Sequence, residues 1–398
     1  MIAAALRCRH FGVCGGCTLQ DLDYSLQLES KKSEFERLLS ALGVPLFDFV
    51  PAPDPWNYRN KVELSFLPPR LAAGGPPGSL TLGFKEKGKW YRGFDLAECL
   101  IFDPFLARLG ESVRLWAIHE NCAAYDPRRH HGFLRHLAVR KGATIERKGA
   151  FLATLVTSSQ RELPGQSLIE RLSSIKNDLF ELSLFHGVND SWADTAVPQR
   201  IETLSGRPYL YEYVLGRPFR YSLGSFFQTN PRAFELLLGE IAAHVGRLGV
   251  SCVLDCYCGV GVMAVMLAER CGCPAVGIES VVSSIDDARV NAGNQNGDRL
   301  TFVLAQVEDV LSDWLKKPEI RSGAVILDPP RSGLHPKALK ALAADPPAHL
   351  IYVSCNPKRT VEADLPHLSQ SYKITRAQAF DFFPQTRHYE ALFFLQRI

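Results

Sequence analysis

The chain has no long uninterrupted apolar run. Its longest apolar region, Val253 to Ala268, is broken by Asp255, Gly259 and Gly261, so no segment reads as a membrane span. Net charge is low, +3 with an isoelectric point near 8.2, too mild by itself to announce a nucleic-acid binder. There is no internal repeat and no low-complexity segment, which leaves packed globular domains. Met1 to Leu6 is too short for the apolar core of a secretory leader. With eleven cysteines and no such leader, a reduced, cytoplasmic setting is expected rather than a disulfide framework. What the chain does have is 398 residues at 46% hydrophobic content, enough to bury the cores of two or three domains.

Three stretches read as buried strands that stop at a reactive or polar residue. Ile351-Tyr352-Val353-Ser354 is an apolar run ending at Cys355, and Asn356-Pro357 then turns the chain out of the strand. Val253-Leu254-Asp255-Cys256-Tyr257-Cys258-Gly259-Val260-Gly261 has the form of a strand and a glycine turn, and a second apolar run closes on Glu279. Here Ala264 replaces the third glycine of the dinucleotide fingerprint, so a nicotinamide site is poorly supported, whereas S-adenosylmethionine has no pyrophosphate to cradle. Ala324-Val325-Ile326-Leu327-Asp328-Pro329-Pro330 leaves Asp328 at a strand tip, because proline cannot continue the ladder. Each stretch has a plain alternative: a core thiol, tight strand-helix packing, or an aspartate capping a turn. Together they deliver Gly259, Asp328 and Cys355 to one rim, where doubly wound sheets bind ligands. The run Phe380 to Glu390, FDFFPQTRHYE, adds a carboxylate, and a thiolate with a carboxylate base is the pairing that covalent catalysis needs.

Taken with Tyr58-Arg59-Asn60-Lys61, Leu134-Arg135-His136-Leu137, Ser225-Phe226-Phe227-Gln228-Thr229-Asn230-Pro231, Arg331-Ser332-Gly333 and the N-terminal cysteines, these motifs resemble the RNA 5-methyluridine methyltransferase family over most of the chain. The resemblance implies an α/β chain with a Rossmann-like S-adenosylmethionine methyltransferase domain, a β-rich central RNA-contact domain and an iron-sulfur loop. It implies that Cys355 adds to carbon 6 of uracil, that carbon 5 then takes the methyl group, and that Glu390 removes the carbon 5 proton. It implies that Gln228, Tyr257, Gly259, Gly261, Glu279, Gln306 and Asp328 line the methyl-donor side, with Glu279 on ribose. Arg331 would border the uracil, and Tyr58, Arg59, Lys61 and Arg135 would contact RNA. The target carbon is inaccessible inside a base stack, so a flipped-out uridine is expected.

Cys8, Cys14 and Cys17 form a C-x5-C-x2-C set, and Cys99 follows later. Four thiolates hold zinc or an iron-sulfur cluster, and the spacing alone does not choose; the resemblance favours 4Fe-4S in a structural or RNA-positioning role. The remaining cysteines read as core or turn thiols. Between Arg128 and Lys148 lie seven Lys or Arg residues (Arg128, Arg129, Arg135, Arg140, Lys141, Arg147, Lys148) with three histidines and one acid, Glu146. Such a stretch neutralises phosphates or is simply a solvated face.

The expected domains are residues 1–23 with 49–219 as cluster loop and central RNA-binding domain, and 24–48 with 220–398 as methyltransferase domain. A helix is expected from Tyr24 to Leu42 and strands at Leu80 to Phe84 and Phe151 to Thr157, with Gly74 to Gly78 as a loop. Larger relatives place a small β-barrel before the cluster cysteines, and residue 8 is too early for one here. That tilts the expected substrate toward large-subunit ribosomal RNA over transfer RNA, with no membrane and no obligate protein partner implied. A cytosine-C5 methyltransferase and an inactive metal-bearing RNA-binding module are the competing readings; HYE and the four-cysteine set argue against the first, and intact Cys355 and Glu390 against the second.

Overall fold

The computed structural model describes residues 6–44, 46–68, 80–175, 179–295, 297 and 299–398; the Gly74 to Gly78 loop lies outside these. The chain divides into two compact units, Met1–Asp21 with Trp56–Tyr211, and Leu22–Pro55 with Glu212–Ile398. Among the described residues no helix is long and apolar enough to cross a membrane.

The first unit is a mixed sheet with helices against its apolar face. Lys61–Leu67 pairs antiparallel with Leu134–Ala143, which pairs antiparallel with Gly149–Thr157, which runs parallel to Phe180–Val188. A parallel neighbour requires a crossover, and the helix Gly165–Ser173 supplies it. The region was expected to alternate short β-rich runs with turns, and Phe105–His119 is also helical. Phe105, Leu106, Leu109, Val113, Trp116 and Ala117 recur at helical spacing and bury into a core with Leu64, Leu137, Phe151 and Leu184.

The second unit is built on an eight-stranded sheet. Its strands, numbered in chain order within this unit, are β1 (Leu46–Val50), β2 (Val253–Cys256), β3 (Ala275–Glu279), β4 (Leu300–Leu304), β5 (Ala324–Leu327), β6 (His349–Ser354), β7 (Tyr372–Phe380) and β8 (Glu390–Arg397). They lie in the order β1-β7-β8-β6-β5-β2-β3-β4. The run from β6 through β5, β2 and β3 to β4 is parallel, and β8 is antiparallel to both β6 and β7. This is the α/β doubly wound arrangement expected from the sequence. Parallel strands are covered by helices on both faces, which is why β2 and β5 are buried at every position. Strand order reverses between β2 and β5, the crevice where such sheets bind ligands.

Helix Pro231–Leu248 starts from the Asn230 side chain, which accepts the Ala233 amide at 3.1 Å, and ends at Gly249 with φ 58°. The N-terminal helix runs Tyr24–Ser40 and buries Phe35 and Leu39 in the core of this unit. It also buries Lys31, whose ammonium meets Asp381 at 2.7 Å, while Tyr24 Oη donates to the other oxygen of Asp381 at 3.0 Å.

Candidate active site

Strand register sets the central pair. β6 and β8 are antiparallel with Ser354 opposite Ala391, so Cys355, one residue past the end of β6, and Glu390, the first residue of β8, stand at the same end of the pair, near enough for the Glu390 charge to act on the Cys355 thiol. On its other side Glu390 pairs with Phe380 of β7. Glu390 is buried, and among the described residues its Oε2 has no hydrogen-bond partner. Cys355 is half-buried and lines a cleft of about 160 Å³ with Arg331, Asn356 and His388.

The loops that present these groups are tied together. Asn356, next to the cysteine, donates from its side chain to the Arg331 carbonyl at 3.3 Å. Asp364 is fully buried and accepts from Tyr352 Oη at 2.6 Å, from the Leu334 amide at 2.9 Å and from Arg359 at 3.2 Å. It thus clamps the Asp328–Leu334 loop to the segment that follows Cys355. Nothing in the sequence singles out Asp364.

Electrostatics in this site disfavour every negative charge. Burial pushes the Cys355 thiol up to about 12, with Glu390 and then Asp328 adding repulsion and Arg331 opposing them. Burial holds the Glu390 carboxyl well above the usual carboxylate range, Asp328 reinforcing and Arg331 opposing. Burial raises Asp328 to about 7, opposed by the Gln228 side chain, which donates to it at 3.1 Å. Burial thus favours the thiol at Cys355 and the protonated form at Glu390, and Arg331 is the cation that favours the thiolate.

The glycine turn forms the other half of the crevice. A small cleft is lined by Phe226, Gln228, Tyr257, Gly259, Met263 and Asp328. Gly259 has φ 54°, and a side chain there would meet nothing closer than the Phe226 carbonyl at 3.8 Å, so the turn lies open toward a ligand. Gly261 is glycine for another reason: at φ 80°, an added Cβ would sit 2.9 Å from the Phe302 ring. Glu279 accepts the Gly259 amide at 3.1 Å and the Ser280 and Val281 amides at 2.7 and 2.9 Å. That fixes its carboxylate at the tip of β3 while leaving lone pairs for a ribose hydroxyl. Gln306 stands at the start of helix Val307–Leu315 and lines a larger groove of about 700 Å³ that Tyr257 also borders. Asp255 of β2 accepts the Ala264 amide at 3.0 Å, anchoring the helix after the turn. These residues fit a methyl donor: an open glycine turn, a carboxylate at ribose position, and an apolar wall ending at Asp328.

Two of the residues expected to contact RNA are placed otherwise. Tyr58 is buried, which removes it as a stacking surface. Arg135 is buried and its guanidinium donates to the carbonyls of Asn189, Ser191 and Ala193 while stacking on Tyr125 at 4.4 Å. Its donors hold a loop, so it is not free to meet a phosphate; sequence shows the charge and not its burial. Lys61 is partly exposed and pairs with Glu63 at 2.8 Å. Arg59 sits near the Cys17 thiol, whose ionised form it favours.

Cys8, Cys14, Cys17 and Cys99 are all half-buried and free of disulfides. Burial pushes the Cys99 thiol up to about 12, with Cys17, Cys14 and Cys8 adding repulsion, so the four thiols share one neighbourhood, and backbone amides donate to them: His10 to Cys8 at 3.4 Å and Gly16 to Cys14 at 3.3 Å. Among the described residues no three His, Cys, Asp or Glu side chains are close enough to hold a single metal ion.

The tRNA (uracil-5-)-methyltransferase family model matches residues 207–398. An uncharacterized RNA methyltransferase of Caldanaerobacter subterraneus is 33% identical over 98% of this chain and 84% of its own length. The tRNA (uracil(54)-C(5))-methyltransferase of Pyrococcus horikoshii is 34% identical over 96% of this chain and 84% of its own. The crystal structure of the Pyrococcus abyssi tRNA (uracil-54, C5)-methyltransferase with S-adenosyl-L-homocysteine superposes with a TM-score of 0.74 at 28% identity, covering 96% of this chain and 86% of that one. With this fold, this crevice and these relatives, the chain belongs to the S-adenosylmethionine-dependent RNA (uracil-5-)-methyltransferase family.

Proposed function

We propose that this enzyme methylates carbon 5 of an unpaired uridine through a covalent bond from Cys355. The observation that supports the reading is that Cys355, at the tip of β6, and a buried, under-bonded Glu390, at the start of β8, stand at the same end of the sheet with the Glu390 charge acting on the thiol. The Cys355 thiol loses its proton to solvent, the resulting thiolate sulfur bonds to carbon 6, and the carbon 5–carbon 6 double-bond electrons move toward the carbon 4 oxygen as an enolate. S-adenosylmethionine, when bound, supplies an electrophilic methyl group to carbon 5. Glu390, once it has released its own proton to solvent, takes the proton from carbon 5; the ring double bond reforms and the carbon 6–sulfur bond breaks, returning the thiolate. Arg331 steadies the thiolate, and Glu279, Gln228, Tyr257, Gly259, Gly261, Gln306 and Asp328 hold and orient the donor. Cys355→Ala should abolish turnover with donor binding intact, and Glu390→Gln should accumulate a protein-RNA adduct on a denaturing gel. Turnover by Cys355→Ala would eliminate the covalent route.

Residues 1–23 with 49–219 serve RNA binding and 24–48 with 220–398 serve methyl transfer. The four cysteines hold a 4Fe-4S cluster: each corner of such a cluster takes its own thiolate, which suits four thiols in one neighbourhood, and amide-to-sulfur hydrogen bonds suit it too. Anaerobically purified protein should be brown; a colourless protein with stoichiometric zinc would overturn this. Eleven free thiols suit action in the cytoplasm. For the substrate, transfer RNA is favoured over the large-subunit ribosomal RNA expected from the sequence, because both Pyrococcus relatives act on uridine 54 of transfer RNA. Labelled methyl donor offered with transcripts of each decides the matter.

A further inference from the structure

An exposed aromatic surface on the first unit is left unused by the site described above. Trp192 is 78% exposed, Trp90 51% and Tyr91 42%. Rings this large in water mark an interaction surface when they are grouped and held in place. Here they are grouped by cations. Arg128 lies 3.9 Å from the Tyr91 ring centroid and 5.4 Å from that of Trp90. His130, on the same loop, packs against Trp192 with ring centroids 4.0 Å apart and planes tilted by 40°.

The scaffold beneath is rigid. Buried Arg135 bonds the carbonyls of Ser191 and Ala193, on either side of Trp192. Lys85, at the start of the strand pair that carries Trp90 and Tyr91, forms an ion pair with Asp194 of the Trp192 loop. Tyr125 Oη lies 3.2 Å from His130 Nδ1, and the Tyr125 ring carries Arg135. Three segments, Lys85–Gly93, Asp126–His131 and Asn189–Asp194, are thereby stitched into one face.

We propose that this face is a stacking platform for unpaired nucleotides of the RNA substrate. Exposed rings interleaved with cations match what single-stranded RNA offers: flat π faces that stack on Trp and Tyr, and phosphates that pair with Arg128 and the exposed Arg129 beside it. An apolar protein partner would not call for guanidinium groups seated on the rings, and a regular duplex would offer no free base faces. The platform also accounts for the start of the basic run at Arg128, and for Arg135, which acts beneath the surface by presenting Trp192. The proposal rests on the RNA substrate class and is independent of how the methyl group is transferred.

The test uses the full-length protein with a 15-nucleotide unstructured oligoribonucleotide of mixed sequence and with the same strand in duplex, titrated by fluorescence anisotropy at several salt concentrations. Trp192→Ala and Trp90→Ala should each weaken single-strand affinity by about 5- to 150-fold, the equivalent of one lost stacked base, with Trp→Phe variants recovering most of it and duplex affinity changing by less than about twofold. Arg128→Gln should lower the salt slope by about 0.7. Binding of S-adenosylmethionine should be unchanged in all variants, which verifies the fold. Single-strand affinity that is unchanged in both Trp→Ala variants, or that falls equally with duplex affinity, overturns the platform; methylation by the wild-type enzyme is scored separately, so either result leaves the catalytic reading to its own tests.

Discussion

Replacing Lys31 with methionine should destabilise the protein strongly, and most of the cost should be removable by low pH or by a second substitution. Lys31 and Asp381 are 2% and 0% exposed, and their charged atoms are 2.7 Å apart. Burial lowers the lysine and raises the aspartate in spite of their mutual attraction, so desolvation outweighs the pairing on both sides. In Lys31→Met the carboxyl has no counter-charge and folds protonated. An ordinary aspartate titrates at 3.8, so taking up that proton at pH 7 costs up to about 4 kcal/mol, at 1.36 kcal/mol per pH unit over roughly 3 units. The sign follows from a folded pKa above the unfolded one: the penalty is full at neutral pH, shrinks to about 1.6 kcal/mol at pH 5 and vanishes near pH 4. Asp381→Asn leaves the buried ammonium alone and should cost a similar 3–5 kcal/mol. In the double variant Lys31→Met/Asp381→Asn no charge is buried, and the asparagine still offers groups to Tyr24 and to the Phe383 amide, which now donates to Asp381 at 3.2 Å. It should be more stable than either single variant. Urea unfolding of the four proteins at pH 5 and 7 checks this. Additive costs in the double variant, or a Lys31→Met penalty that does not change with pH, would refute the reasoning.

Two other predictions come from the same physics. Because burial and the neighbouring carboxylates push the Cys355 thiol to about 12, its alkylation by iodoacetamide, followed by peptide mass spectrometry, should be slow at pH 7 and rise about tenfold per pH unit to pH 10. Glu390→Gln should quicken it and Arg331→Gln slow it; fast, pH-independent alkylation near neutrality would mean a preformed thiolate. Gly333 has φ 78°, and an added Cβ would lie 2.6 Å from Asp364 Oδ2, so Gly333→Ala should cost about 1–3 kcal/mol in urea unfolding and should lower turnover by shifting the Arg331 loop. A variant with wild-type stability would show that the clamp yields without strain.

The strand tips were legible in the sequence because their signals are local. A glycine turn after Cys256, prolines after Asp328 and Asn-Pro after Cys355 each stop a strand wherever it lies, and the apolar runs before them announce a sheet buried on both faces. Helix Phe105–His119 was missed, although its apolar spacing is regular, because it stands among short strands and turn residues. The burial of Tyr58 and Arg135 was not legible, because an aromatic ring or a guanidinium looks the same in sequence whether it faces solvent or the interior.

The amino-acid order by itself determined the doubly wound sheet, the open glycine turn and which residue types stand at its rim, since these depend on hydrophobic period and on backbone stops within a few residues. Tertiary structure alone decided that Glu390 stands near Cys355, that Asp364 clamps the loop of Arg331, that Lys31 pairs with Asp381 from the other end of the chain, and that Trp90 and Trp192 share a face. Those meetings are fixed by strand register and by packing between segments tens to hundreds of residues apart, where no local preference reaches.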